Sequence, residues 1–235
     1  MPGLSNVSLR NIILSVFGCL IILAIGYQAI ALGATLIGVV TDNTGKPVPN
    51  AVISAMPSSG PSKRPDNAPQ VVIDQVDKEF IDYVTPIQVG TVVTFPNNDK
   101  IRHHVYSFSP AKVFELPLYP PGAHAENKVI FDNPGEVVIG CNIHDWMKAY
   151  IYVVETPWFG RTDASGKAVI TGIAPGEYEL GVWHPNIDRQ LAQAQKRKVK
   201  IAADKNAEAD FRVVITQDWR SRRAPFSTGG GGFYR

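Results

Sequence analysis

The sequence predicts an all-β protein of the β-sandwich type. From residue 34 onwards, most apolar stretches are short, rich in Val, Ile, Tyr and Phe, and bounded by Gly, Pro, Asn or Asp. The 20 Gly and 18 Pro among 235 residues favour many turns. Strand-like stretches at this close spacing are typical of β-sandwiches. The length suits one large or two small domains.

The predicted strands follow one another along the chain with a single helical candidate, 187–195. Residues 56–69, rich in Pro and Ser, predict a linker or long loop. The stretches that suit strands are 36–41, 51–55, 71–75, 88–95, 104–108, 128–131, 136–141, 149–154, 168–171, 177–183, 197–201 and 208–214.

The amino-terminal segment predicts export. Residues 1–11 carry Arg10 as their only charge, and residues 12–25 are almost wholly apolar. Ala29-Ile30-Ala31 fits a small-x-small cleavage site, so we interpret residues 1–33 as a secretory signal peptide. The alternative is a membrane anchor, because residues 12–32 provide the roughly 20 residues that span a bilayer.

Composition and motifs exclude several classes of function. The net charge of +2 is too small to predict nucleic-acid binding. The sequence shows no Ser-His-Asp grouping, paired-carboxylate motif or phosphate loop, so we do not expect an enzyme. Residues 219–235 are basic and then Gly-rich, which predicts a disordered tail.

Cys141 is the centre of a group of metal-binding residue types. Signal cleavage would leave it as the only cysteine of the mature chain, so it could not form an internal disulfide. His144 and Met147 follow it by three and six positions, and His103 and His104 lie upstream. Two imidazoles, a thiolate and a thioether are the ligand set of a mononuclear blue-copper centre. Copper is therefore the expected cofactor.

The middle of the chain, about residues 70–156, resembles the cupredoxin family, in particular the plastocyanin and amicyanin type. The resemblance rests on Gly90-Thr91-Val92-Val93-Thr94-Phe95-Pro96-Asn97-Asn98, His103-x-Val105, Phe131-Asp132-x-Pro134-Gly135 and Cys141-x-x-His144-x-x-Met147. The two residues between His144 and Met147 match the amicyanin type. Residues 102–109 and 140–147 also resemble stretches of plastocyanin-like methylamine utilisation proteins of bacteria, and this resemblance implies a periplasmic setting.

The resemblance implies one type 1 copper ion held by His103, Cys141 and His144, with Met147 as the weak axial ligand. His104 stands where many cupredoxins have Asn, so the first histidine ligand could be either His103 or His104. Asn97 and its neighbour Asn98 are candidates for hydrogen bonds to the 141–147 loop that would hold the site rigid.

Two remote pieces resemble one carboxypeptidase regulatory-like, transthyretin-type β-sandwich. Residues 38–52 match its opening and residues 162–180 its continuation. We therefore predict a split sandwich, 34–57 plus 158–218, with the cupredoxin domain 70–156 inserted between its halves. The alternative is two half-formed additions that pack separately, although a two-stranded hairpin is only marginally stable alone.

These observations predict a periplasmic copper protein that transfers single electrons between redox protein partners. One alternative is copper delivery or sequestration without electron transfer. A second is a β-sandwich adhesion or carbohydrate-binding protein.

Overall fold

The computed structural model describes residues 33–63, 65–123, 128–203 and 205–216. The predicted signal peptide or anchor, apart from Gly33, and the predicted tail lie outside these residues. Within them, the prediction of an all-β chain is confirmed, with one short helix beside the strands. No helix in this described part is long and apolar enough to cross a membrane.

Seventeen strands and one helix make up the described chain. In order they are β1 (Ala34–Asp42), β2 (Val52–Pro57), β3 (Gln70–Val72), β4 (Gln75–Val76), β5 (Glu79–Phe80), β6 (Val84–Gln88), β7 (Val92–Thr94), β8 (His103–Ser109), β9 (Lys112–Tyr119), β10 (Lys128–Ile130), β11 (Gly135–Cys141), β12 (His144–Val154), β13 (Phe159–Arg161), β14 (Lys167–Ile173), β15 (Gly176–Trp183), α1 (Arg189–Ala194), β16 (Arg197–Ile201) and β17 (Ala207–Val213).

The first two strands share sheets with the last five. One sheet has the order β14-β1-β17, with β1 antiparallel to β14 and parallel to β17. The other has the order β13-β2-β15-β16. Val39 lies opposite Lys167, and Val52 lies opposite Trp183. The two sheets bury one apolar core, which includes Leu36, Ile53, Leu180 and Phe211 among others.

The intervening strands form a second set of sheets around their own core. A five-stranded sheet has the order β6-β12-β11-β8-β9, and a three-stranded sheet has the order β10-β7-β3. The small β4-β5 ribbon completes this region. The core contains Phe95, Phe131 and Ile139 together with Cys141 and Met147, so these two sulfur-bearing side chains are part of its interior.

A third apolar cluster joins the two regions. It contains Val52 and Trp183 from the flanking sheets and Val84 and Tyr150 from the middle of the chain. Trp183 also stacks on Tyr152, with ring centroids 4.3 Å apart. Buried aromatic contact of this kind stabilises the association of the two regions beyond the area it removes from water.

Two of the predicted strands are interrupted in the structure. The 88–95 stretch is a strand end, a turn and a new strand, because Gly90 adopts φ 92° and the Thr91 N–H donates to the Gln88 carbonyl. The 71–75 stretch is likewise divided between β3 and β4. Apolar runs alone did not reveal these breaks.

One long strand was missed altogether. β9 is an edge strand that contains Pro117, and its side chains are mostly half-buried or exposed. Apolar sequence patterns predict buried strands more readily than edge strands. Pro is tolerated at a sheet edge, where its missing N–H is not needed.

Candidate metal centre

The strands β11 and β12 bring Cys141 and His144 together. Cys141 ends β11, His144 begins β12, and the two residues are register partners across a turn of only two residues, Asn142 and Ile143. The sequence placed His144 and Met147 in a loop before a strand at 149, whereas both lie within β12. The ladder fixes His144 through its pairing with Cys141, whereas residues 145–147 lie in an irregular stretch between this pair and the next one, Gly140 with Lys148.

Three of the four predicted ligands meet in one cluster. The donor atoms of His103, Cys141 and His144 all lie within 4.8 Å of one another. Cys141 Sγ is 3.7 Å from His103 Nδ1 and 3.6 Å from His144 Nδ1. Met147 is 1% exposed and belongs to the same core cluster as Cys141.

The distances from the thiol of Cys141 to the two imidazoles fit a single bound ion. Bonds of about 2.0 Å to nitrogen and 2.3 Å to sulfur, meeting at about 110–120°, place the two donors about 3.5–3.7 Å apart. The two measured Sγ–Nδ1 distances, 3.6 and 3.7 Å, match this requirement. Thiolate with imidazole is also the chemistry that copper favours.

His103 is held from behind by a carboxylate. Its Nε2–H donates to Asp99 Oδ2 at 2.9 Å, and both side chains are largely buried. Because a carboxylate only accepts, this bond places a ring proton on Nε2, so Nδ1 faces Cys141 and is the nitrogen that can bind a metal once it carries no proton. Asp99 in turn accepts main-chain N–H bonds from Lys78 and Lys100. Burial raises the pKa of Asp99, but the hydrogen bonds from His103, Lys100 and Lys78 outweigh it and lower the pKa.

The environment favours the metal-binding form of the thiol. Burial would raise the pKa of Cys141, but the bond with His103 and the backbone N–H groups of His104 and Ile143 lower it. The thiolate is the form that binds metal.

The two histidines of the cluster differ in their surroundings. Burial disfavours charge on His103, yet its bonds with Cys141 and Asp99 raise its pKa. Burial, with the positive charges of His103 and Lys78, lowers the pKa of His144 and so favours its neutral form. The His103 side chain is fully buried, whereas His144 is half-buried.

His104 faces away from the cluster. Its Nε2 lies 2.9 Å from Glu115 Oε1, and its ring lies 5.5 Å from that of Tyr106. The only group of His104 that hydrogen-bonds to Cys141 is the main-chain N–H, which donates the bond. Of the two histidines that the sequence left open, the structure thus places His103 beside Cys141.

The two asparagines do not bond the 141–147 segment as expected. Asn97 donates to the carbonyls of Ile101 and Tyr119, and its Oδ1 accepts from the Asp99 N–H. Asn98 donates instead to Asp74. Asn97 therefore holds the segment with Asp99 and His103 in place through these hydrogen bonds.

Sequence reasoning missed Asp99 and Lys78 as supports of the site. A carboxylate four positions before His103 was a usable signal for the first. Lys78 gave none for its hydrogen bonds to Asp99 and Trp146, because these use its main chain, whose donors and acceptors do not depend on residue type.

Comparisons with known proteins concern the fold. No protein-family model and no curated protein matches the chain. Several solved structures of cupredoxins are similar to it. A purple cupredoxin from Nitrosopumilus maritimus is 24% identical, covering 37% of this chain and 99% of that one, with a TM-score of 0.31. A reduced mutant of amicyanin is 20% identical, covering 45% of this chain and 99% of that one, with a TM-score of 0.33.

A copper-containing nitrite reductase from Thermus scotoductus is also similar. It is 27% identical, with a TM-score of 0.35, and the match covers 51% of this chain. This chain spans only 28% of the length of that reductase.

Proposed function

We propose that this protein is a type 1 copper protein that carries single electrons between redox proteins and catalyses no reaction itself. The observation that supports this most directly is the preassembled donor set: one nitrogen from each of two imidazoles and one thiol Sγ, all within 4.8 Å of one another. Bound copper would supply reversible one-electron chemistry, and His103, Cys141 and His144 would hold it, with Met147 as the weak axial ligand.

The residues around the cluster are suited to small rearrangement on electron transfer. Cys141 and Met147 are soft donors that favour Cu(I), whereas imidazole accepts both oxidation states. The β11–β12 ladder fixes Cys141 and His144, and Asp99 fixes the ring of His103. A site held this firmly keeps one geometry in both states.

Electrons would enter and leave through His144. His103 is completely buried, whereas His144 is half-buried and so brings a ligand edge towards the surface. Its neighbour Ile143 is 50% exposed, which gives a partner an apolar contact beside that edge. A short path from partner to metal favours this face over the buried side of the cluster.

The proposal also gives each other part of the chain a domain or a role. Residues 70–156 would be the cupredoxin domain, and 34–57 plus 158–218 a transthyretin-like sandwich that carries it. Residues 1–33 would direct export to the periplasm, with 12–32 as the anchor if the segment is retained. The sharing of sheets by strands from both chain ends supports the split arrangement.

The test is to load the purified protein with Cu(II) and record visible and EPR spectra. We expect an intense thiolate-to-copper charge-transfer band with narrow hyperfine splitting, and a reversible one-electron wave by voltammetry. A colourless protein that binds copper only as Cu(I) would favour copper delivery instead. A protein that binds no copper would exclude both functions.

A further inference from the structure

A two-residue turn beside the metal cluster adopts an unusual backbone conformation. Asp77 and Lys78 connect β4 to β5 and have φ angles of 50° and 61°. Two-residue hairpins of this kind favour Asn, Asp or Gly at the first position and Gly at the second, so Lys78 is the residue whose side chain makes the left-handed φ unfavourable. A non-Gly residue persists there when its surroundings hold it in place.

The main chain of Lys78 is bonded on both sides. Its N–H donates to Asp99 Oδ2 at 2.7 Å, the same oxygen that accepts from His103 Nε2. Its carbonyl accepts from Trp146 Nε1 at 3.1 Å. The ring of Trp146 in turn lies 5.3 Å from that of His144. One residue thereby contacts the immediate supports of both imidazoles.

We propose that the Asp77–Lys78 turn is a positioning clamp that sets the separation of the two histidines of the metal centre. This inference rests on the proposed function of the cluster as a copper site. Lys78 acts here through its backbone, while Asp99 and Trp146 carry its effect to His103 and His144. None of these three residues supplies a ligand.

The clamp connects parts of the chain that are remote in sequence. His103 begins β8, whereas His144 and Trp146 lie in β12, and the turn belongs to the separate β4-β5 ribbon. The two imidazole rings are 5.0 Å apart. Since His144 is only half-buried, packing around it is incomplete, and the bond from Trp146 to the turn supplies a further restraint.

The experiment uses the full chain with substitutions at the two ends of the clamp. Trp146→Phe removes the indole donor and keeps an aromatic ring beside His144. Asp99→Asn keeps an oxygen but removes the charge that holds His103 and the turn. Glu115→Gln is the matched control, because it changes an equal 2.9 Å carboxylate–imidazole bond on His104, outside the cluster.

We expect Trp146→Phe and Asp99→Asn each to weaken copper affinity about 10- to 100-fold, as loss of an outer-shell partner commonly does. Each should also shift the reduction potential and the charge-transfer spectrum. The double variant should show less than the product of the single effects, because both act through one turn. Glu115→Gln should keep wild-type affinity, spectrum and potential.

Two failures are distinguishable. If the wild-type protein shows no thiolate-to-copper band, the proposed copper site is wrong. If the wild-type band is present and folded Trp146→Phe retains wild-type affinity, potential and spectrum, the clamp is wrong. Multiplicative effects of the two substitutions on affinity would also overturn it, since the two supports would then act independently.

Discussion

The two β-regions of this protein differ most in what they bury. In the flanking strands, 34–57 and 158–213, the buried polar side chains within the described residues are Thr162 and His184. The central strands bury many more, together with the free thiol of Cys141. They are Gln75, Gln88, Thr91, Asn97, His103, His104, Ser107 and Thr156.

The central region thus holds the metal-binding side chains, whereas the flanking region has an almost wholly apolar core. Burying a polar group without a partner costs free energy, so most buried polar side chains in folded proteins are hydrogen-bonded. Tyr119 illustrates this in the central region, because its hydroxyl donates to the Phe95 carbonyl and accepts from Gln75. Such a network fixes the positions of groups that an apolar core would leave to shape alone.

The largest expected effect is on the cluster itself. Cys141→Ser should abolish the thiolate-to-copper band completely, because no other described cysteine can replace the thiolate. Circular dichroism should show an unchanged β-rich fold. A band that survives in Cys141→Ser would show that the ligand assignment is wrong.

Met147→Leu provides the contrasting variant at the same centre. It keeps the volume and apolar character of this buried side chain but removes the thioether. The band should remain, and the reduction potential measured by voltammetry should shift, because the axial ligand tunes the potential. An unchanged potential would remove Met147 from the proposed ligand set.

The next-largest expected effect is a loss of stability in the core of the flanking region, with no effect on the copper site. Phe211 is 1% exposed, and Phe211→Ala should lower the free energy of unfolding by about 3–5 kcal/mol. Urea denaturation of the copper-free protein measures this. The copper spectrum of the folded fraction should be unchanged, and a loss of the band in folded protein would show that the two regions are not separable in function.

A smaller effect compares one buried polar side chain from each region. Asn97→Ala removes bonds to the Ile101 carbonyl and the Asp99 N–H, while Thr162→Val removes bonds to the Ala51 N–H and the Val48 carbonyl. Each should cost about 1–3 kcal/mol of stability, because partners are left unsatisfied. Only Asn97→Ala should also weaken copper binding, measured by competitive titration. Equal copper affinity in both variants would contradict the comparison.

The smallest effect concerns an exposed ion pair between the two regions. Arg189 Nη2 lies 2.9 Å from Glu136 Oε2, and the Arg189 side chain is 73% exposed. Arg189→Gln should change the free energy of unfolding by about 0–1 kcal/mol, because solvent screens such pairs. Unfolding at low and high salt checks this. A larger, salt-independent loss would indicate that the pair helps to hold the regions together.

Parts of the fold were readable from local pattern and parts were not. Strands such as β8 and β11 follow from short runs of β-branched and aromatic residues, and the structure has them close to the predicted bounds. The strand β9 and the extension of β12 to His144 could not be predicted from local pattern. Their side chains alternate less clearly between apolar and polar. Pairing across a ladder, rather than propensity, makes these residues strands.

By itself, the sequence determined the all-β class and the candidate donors His103, Cys141, His144 and Met147, since residue type and spacing are local properties. Only the tertiary structure decided that His103 rather than His104 faces Cys141, because adjacent residues of a strand point to opposite faces and the register selects which one enters the core. It also decided that Asp99 and the main chain of Lys78 support the cluster. Hydrogen bonds between remote segments depend on distances that folding alone sets.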